Sequence, residues 1–174
     1  MPGWGLKIEH LQRKKHIRDQ FHCGEPSLDE YIKRFAGQDQ KRGLSVAYVL
    51  ADKDEHVVGF YTLSNYSIYI GNCPDDLKKG LPNRQHLPAV LIGKFAIHQK
   101  YQGHRWGEKL LMNALSRSCK HSASIAAFAV CVYAQNDQAK KFYRKYDFRE
   151  LMDDPFHLFL PLHIIKKLSN TIQG

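Results

Sequence analysis

An α+β sandwich is the fold class predicted for this 174-residue chain, on three observations. Ala89 to Ile97 is apolar apart from Gly93 and Lys94, which suits a strand buried on both faces with one irregular point, a bulge at Gly93. A polar turn with Gly103 and Gly107 follows, and then Leu110, Leu111, Ala114, Leu115 and Cys119 recur at helical spacing. A second apolar run, Ile125 to Tyr133, predicts another buried strand. Parallel strands joined by a helix make a right-handed crossover, and the ends of two adjacent strands can splay apart to admit a ligand. The whole chain reads as β-α-β-β-β-α-β-α-β in one domain over residues 1–174, without internal repeat or low-complexity tract.

Residues 1–20 read as a first strand or lead-in carrying the basic stretch Arg13, Lys14, Lys15 and Arg18, whose plainer reading is an exposed face. Phe21 to Gly24 turns into a helix. Ser27 as N-cap with Glu30 three residues on makes a capping box, and Leu28, Tyr31, Ile32, Phe35 and Ala36 share one face. That helix ends near Gly37 or runs on to Gly43. Ser45 to Ala51 and His56 to Ser64 flank Asp52-Lys53-Asp54-Glu55, a hairpin signature, and Tyr66 to Ile70 continues as strand. Gly71 to Pro88 is a polar loop with room for one helical turn. After the central helix and second buried strand come a helix over Asn136 to Tyr146, a strand over Phe156 to Leu162 and a polar tail after Lys167.

With 43% hydrophobic and 25% charged residues the composition is that of a soluble globular protein. No run approaches the roughly 18 apolar residues a membrane span needs, and no apolar signal-peptide core is present at the N-terminus, so a cytoplasmic location is expected. Cys23, Cys73, Cys119 and Cys131 are widely spaced, with no C-x-x-C, and read as reduced and mostly buried. No metal-ligand spacing is found among the ten histidines, so no metal is expected. Charge is concentrated: residues 78–120 hold nine Lys/Arg against one Asp/Glu, while the chain on either side is close to balanced. That excess exceeds what one or two bound phosphates would use, so a polyanion such as nucleic acid is a candidate partner.

The turn after His98 supplies the first candidate chemistry. A glycine-bearing loop ahead of a helix points backbone N–H groups at an anion and adds the positive end of the helix. A phosphate or pyrophosphate would therefore sit over Gln102, Gly103, His104, Arg105, Trp106, Gly107 and Glu108. Neither a Walker loop nor the three-glycine dinucleotide fingerprint is present. Trp106 has two readings, stacking on a base or adenine and covering the helix start.

The loop together with Asn136, Ala139, Tyr143 and Phe148 resembles the GNAT superfamily of acetyl-CoA-dependent N-acyltransferases. The family's Gln-x-x-Gly-x-Gly/Ala falls on Gln102, Arg105 and Gly107, and its Asn-x-x-Ala-x-x-x-Tyr-x-x-x-Gly-Phe on Asn136, Ala139, Tyr143, Asp147 and Phe148. Arg105 and Asp147 thus replace glycine. Asp tolerates a left-handed turn, whereas at Arg105 the expectation is a backbone that a non-glycine residue holds readily, with its guanidinium on the phosphates. Phe21-x-Cys23-Gly24, Ser27-Leu28-Asp29, Ala36-x-Gln38-Asp39, Tyr61 to Ser64, Phe142-Tyr143 and Asp154-Pro155-x-x-Leu158 are similar to the GNAT toxins of bacterial toxin–antitoxin pairs, over nearly the whole chain.

The resemblance implies a GNAT (acyl-CoA N-acyltransferase) fold, a mixed central sheet with a splayed parallel pair flanked by helices. It implies acetyl-CoA as co-substrate, acetylation of the amino group of an aminoacyl-tRNA, a small DNA-binding antitoxin as partner, and a homodimer. Phe95, Ala96 and Ile97 would direct backbone amides at the thioester oxyanion. Tyr143 would protonate the departing thiolate, and its plain reading is an aromatic packed on a helix face. Asn136 would fix the pantetheine arm or the adjoining turn. Lys78, Lys79, Arg84, Lys94 and Lys100 would meet tRNA. Two other functions stay open: an acetyltransferase for protein or small-molecule amines, and a GNAT-like binding module without catalysis, kept open by Arg105 and Asp147. Cys131 as an acetyl-carrying nucleophile is a further alternative to direct transfer.

Overall fold

The computed structural model describes residues 4–82 and 85–173; Arg84 lies outside the described residues. Strands β1 (Lys7–His10), β2 (Val46–Ala51), β3 (Val57–Tyr69), β4 (His86–Ile97), β5 (Ala129–Tyr133), β6 (Arg149–Glu150) and β7 (His157–Pro161) form one sheet. Their hydrogen-bonding order is β1-β2-β3-β4-β5-β7-β6. The helices are α1 (Pro26–Glu30), α2 (Ala36–Lys41), α3 (Asp75–Lys78), α4 (Trp106–His121), α5 (Asp137–Lys145) and α6 (Leu162–Gln173). Contacts divide the chain into two compact units, Met1–Ser64 with Gly93–Ala114 and Asn65–Ile92 with Leu115–Gly174.

In the first unit β1, β2 and β3 form an antiparallel meander, and Val49 pairs with Phe60. The turn expected at Asp52 to Glu55 is present, closed by the Asp52 carboxylate, which accepts from the N–H groups of Asp54 and His56 at 2.9 Å each. Leu28, Ile32 and Ala36 pack with Leu11, Phe21, Ala47, Val49, Phe60 and Ala96 in one apolar cluster. Between α1 and α2 the backbone widens into a π segment, Tyr31–Phe35. Helical structure runs on to Lys41 and is closed by Gly43 at φ +73, the farther of the two expected ends.

The expected capping box is absent. Glu25 is the N-cap, Pro26 occupies the start of α1 and Ser27 is already inside it. Proline brings a fixed φ and lacks the N–H that would otherwise need a partner, so the helix begins two residues earlier than the Ser-x-x-Glu pattern predicts. Asp29 turns back to accept from the Cys23 N–H at 2.8 Å and to bond His22 Nδ1 at 3.0 Å.

In the second unit β4 and β5 are parallel, in register from Ala89↔Ala129 to Ile92↔Val132. β5 pairs antiparallel with β7, and β7 with the short β6, which the sequence reading did not separate from its loop. Ile68, Cys73, Leu87, Ala89, Ala129, Cys131, Leu151 and Phe159 form the core. Arg149 grips Asp76 of α3 with two hydrogen bonds of 2.9 Å, and Lys140 of α5 meets Glu150 at 2.7 Å.

Several boundaries differ from expectation. His56 to Ser64 and its expected continuation Tyr66 to Ile70 form the single strand β3, which ends at Tyr69, one residue short. β4 starts at His86, inside the predicted loop, because Leu87 is buried by the core. β5 starts only at Ala129; Ile125 is 59% exposed and its N–H still bonds the His121 carbonyl, so apolar composition here follows a helix end and not a buried strand. The tail beyond Lys167 continues α6. No helix among the described residues is long and apolar enough to cross a membrane.

Asn136 caps α5 through its side-chain oxygen, which accepts from the Ala139 N–H at 2.9 Å. Asn136→Ala should therefore cost about 1 kcal/mol and lower the melting temperature by about 2–4 °C. An unchanged thermal melt would mean that the cap carries no stability.

Candidate active site

The candidate residues fall into two groups, one in each unit. In the first unit β4 delivers Phe95, Ala96 and Ile97 beyond the last pair of the β4–β5 register, at Ile92↔Val132. The irregular point is visible at Gly93 and Lys94, where the Lys94 N–H is taken by the Thr62 hydroxyl at 3.0 Å. The Lys94 ammonium lies 5.5 Å from the centre of the Tyr31 ring. Beyond Ile97 the chain makes a single 3-10 turn, Gln99–Tyr101, and enters the glycine-bearing loop.

Gln102 anchors that loop. Its side-chain N–H₂ donates to the Ile97 carbonyl at 2.8 Å and to the Cys23 carbonyl at 3.0 Å, joining the strand end to the turn before α1. The Gln99 N–H adds a 2.9 Å bond to the His22 carbonyl. Gln102 was expected to touch the cofactor; the structure gives its amide a positioning task.

Gly103 stands at φ +78 and Arg105 at φ +64. Two left-handed residues in three turn the chain sharply enough to start α4 at Trp106. The first intrahelical bond of this region is Lys109 N–H to the Arg105 carbonyl, 3.2 Å. Trp106, Gly107 and Glu108 therefore sit in a first helical turn, whose N–H groups have no carbonyl within the helix to accept them. Lys100, Arg105 and Lys109, all exposed, flank them in sequence. This set suits a pyrophosphate: backbone donors, the positive helix end and exposed cations.

Trp106 is 8% exposed, which favours the helix-cover reading. It packs 6.3 Å from Trp4, under the Lys109 ammonium at 4.5 Å, and its buried indole N–H has no hydrogen-bond partner among the described residues. His104 lies 5.3 Å from Trp4.

The expectation for Arg105 is corrected. Its backbone occupies the left-handed region, where an L side chain costs about 1–2 kcal/mol, so it holds the conformation that glycine would adopt freely. Asp147, at φ +69, does the same as expected for the second motif.

In the second unit α5 buries Tyr143 (5% exposed), with Phe142 and Phe148 at ring distances of 5.3 and 5.4 Å. Burial raises the Tyr143 phenol well above its ordinary value, so it carries its proton at neutral pH, as a general acid must. Cys131 is fully buried and its thiol is likewise pushed up by burial, which disfavours a thiolate nucleophile. Asn136 spends its carbonyl on the α5 cap. Of the lysines, Lys78 pairs with Asp75 at 3.3 Å, while Lys79 is exposed.

One polar chain escaped the sequence reading. Tyr66, Tyr133, His157 and Asp153 are hydrogen-bonded in series within the second unit. Its members come from three strands and a turn, and only Asp153 and His157, four residues apart, are near in sequence. The available signal was weak: a histidine inside the otherwise apolar run Phe156 to Leu162.

Arg105→Gly separates backbone from side chain. Relief of the left-handed strain, offset by the chain entropy of glycine, should leave the melting temperature unchanged or raise it by up to about 2–4 °C. Loss of the guanidinium should weaken acetyl-CoA binding measured by titration calorimetry. A fall of several degrees would show that the side chain stabilises the loop, and an unchanged affinity that it makes no phosphate contact.

Comparison with known proteins identifies the family. Residues 45–150 match the Acetyltransferase (GNAT) domain family. The chain is 35% identical over 140 residues to a tRNA-acetylating toxin of Mycobacterium tuberculosis, covering 80% of this chain and 82% of that one. It superposes on AtaT complexed with acetyl-methionyl-tRNAfMet with a TM-score of 0.88 at 26% identity, over 94% of this chain and 99% of the other. With AtaTR bound with AcCoA the TM-score is 0.84 at 26% identity, over 95% and 98%. A mixed sheet with a parallel β4–β5 pair, a left-handed loop before α4 and this match together establish that the chain belongs to the GNAT acetyltransferase family.

Proposed function

We infer that the protein is a toxin-type N-acetyltransferase that moves an acetyl group from acetyl-CoA to the amino group of an aminoacyl-tRNA and so blocks translation. The observation that carries this reading is the match over most of its length to a tRNA-acetylating toxin. The concentration of positive charge over residues 78–120 supports a polyanionic substrate independently. The family match spans segments of both compact units, which supports one catalytic domain over the chain. The reading without catalysis loses its basis, since Arg105 and Asp147 keep the left-handed backbone of the glycines they replace.

The chemistry assigned to the residues is direct transfer. Backbone N–H groups of Gly103 to Glu108 bind the pyrophosphate. Amides of Phe95, Ala96 and Ile97 donate to the developing oxyanion, as supported by the end of the β4–β5 register at Ile92↔Val132. The amine attacks the thioester carbon, the C–S bond breaks, the Tyr143 hydroxyl gives its proton to the thiolate, and the proton lost by the nitrogen returns to the Tyr143 phenolate. Lys79 and Lys100, both exposed, contribute to tRNA binding together with Lys78 and Lys94. The proposed partners are a small DNA-binding antitoxin and a second copy of the chain, and the proposed location is the cytoplasm, all supported by the resemblance to toxin–antitoxin pairs.

Incubating the protein with labelled acetyl-CoA and bulk charged tRNA should place the label on the aminoacyl ester. Label on protein or free amines with none on tRNA would favour the general amine acetyltransferase. Tyr143→Phe keeps the ring packing, so acetyl-CoA affinity should hold while single-turnover transfer falls by roughly 10²-fold; a rate within about threefold of wild type would return Tyr143 to a packing role. Replacing Lys78 and Lys79 by Ala should lower the slope of log affinity for tRNA against log salt by about 0.7–0.9 per lost phosphate contact. An unchanged slope would make both lysines part of a solvated face.

A further inference from the structure

The second unit contains a hydrogen-bonded chain that the transfer chemistry above does not use. Asp153 holds His157 Nδ1 at 2.9 and 3.1 Å, His157 Nε2 lies 3.2 Å from the Tyr66 hydroxyl, and that hydroxyl lies 3.3 Å from the hydroxyl of Tyr133. The Tyr133 ring stacks on the imidazole, with centroids 4.1 Å apart and planes 7° from parallel. His157 is 4% exposed whereas Tyr133 is 47% exposed, so the chain runs from the interior to the surface.

Its polarity follows from the donor inventory. A carboxylate only accepts, so the neutral imidazole of His157 carries its hydrogen on Nδ1 and leaves Nε2 as an acceptor. Tyr66 must then donate to His157, and Tyr133 to Tyr66. Every hydrogen in the series points inward, toward a base oriented by a carboxylate. A carboxylate behind an imidazole whose far nitrogen accepts a hydroxyl proton is the arrangement by which a buried histidine takes up a proton.

The exposed end is well placed. The parallel register of β4 and β5 ends at Ile92↔Val132, and Tyr133 is the next residue. Ligands of parallel sheets bind outside the carboxyl ends of the strands, where neighbours diverge. The same strand end leads through Ala134 and Gln135 to Asn136 and α5, which carries Tyr143.

We propose that Tyr133, Tyr66 and His157, with Asp153 as the positioning residue, form a relay that removes the proton from the attacking amine. This rests on the acetyl-transfer reading and adds the base to it. As the nitrogen bonds the thioester carbon, one N–H proton passes to the Tyr133 oxygen, the Tyr133 proton to the Tyr66 oxygen, and the Tyr66 proton to His157 Nε2. Both phenols end as they began, and the imidazolium is held by Asp153. The thiolate takes its own proton from Tyr143, and solvent afterwards carries the proton of His157 back to the Tyr143 phenolate. Burial raises the Tyr66 phenol, which keeps it protonated and able to pass a proton on without resting as a phenolate.

Three full-length variants test this: Tyr66→Phe, His157→Gln and the double change. Tyr66→Phe keeps the ring, and His157→Gln keeps a group able to bond Tyr66 but unable to take its proton. Each should lower the saturated single-turnover rate by roughly 10²-fold, with the KM for charged tRNA and the affinity for acetyl-CoA within about threefold of wild type. The double variant should be no slower than the worse single one, because the residues act as a unit. Independent losses that multiply, a raised KM with unchanged rate, or rates near wild type would each overturn the relay; the raised KM would make Tyr133 and His157 a stacking surface. If His157→Gln does not fold, Tyr66→Phe decides alone. Should wild type acetylate another amine and not charged tRNA, the substrate reading fails and the same three rates, measured with that amine, still decide the relay. A wild type that acetylates no amine would overturn both.

Discussion

The side-chain amide of Gln102 is the constraint on which the loop geometry rests. One nitrogen with two hydrogens satisfies two carbonyls, Ile97 at the end of β4 and Cys23 in the turn before α1. Each such bond is worth about 1 kcal/mol net. Their value here is geometric, since they hold the chain at Gln102 in a fixed relation to the strand that carries Phe95, Ala96 and Ile97. Gly103 and Arg105 can then reverse direction within three residues, and α4 starts with its N–H groups directed outward from a fixed point.

That anchoring also explains the unusual residues of the two motifs. A tight turn onto a helix N-terminus demands left-handed backbone whatever residue stands there. Arg105 meets the demand at a cost in strain, and Asp147 meets it more cheaply because a short polar side chain tolerates that region. Local strain of this size persists only where the surroundings over-determine the conformation, and such places cluster at binding sites. Gln102 and Gln99 supply that determination on one side of the loop, and the burial of Trp106 on the other.

Much of this was legible in the sequence because it is local. The Ala89 to Ile97 run, the loop and the helix beginning at Trp106 could be read from apolar spacing and two glycines, and the motif around Asn136 and Tyr143 from residue types at fixed offsets. The start of α1 was misread because Pro26 preempted the cap that Ser27 offered. Ile125 to Phe128 looked like strand because composition does not say which apolar residues the fold exposes. The left-handed backbone at Arg105 was hidden because the residue that occupies it gives the opposite signal. Tyr66 and Tyr133 could not be joined to His157 and Asp153 from the sequence, because the fold brings them together from positions 66 to 157, with Tyr133 and His157 in register.

The central claim is that the backbone of the Gln102-anchored loop receives the acetyl donor. Amide hydrogen exchange with and without saturating acetyl-CoA tests it most directly. Protection concentrated on the amides of Gly103 to Glu108, and lost when Gln102 is replaced by Ala, is the predicted result. Binding of acetyl-CoA that leaves exchange in this loop unchanged would contradict the account.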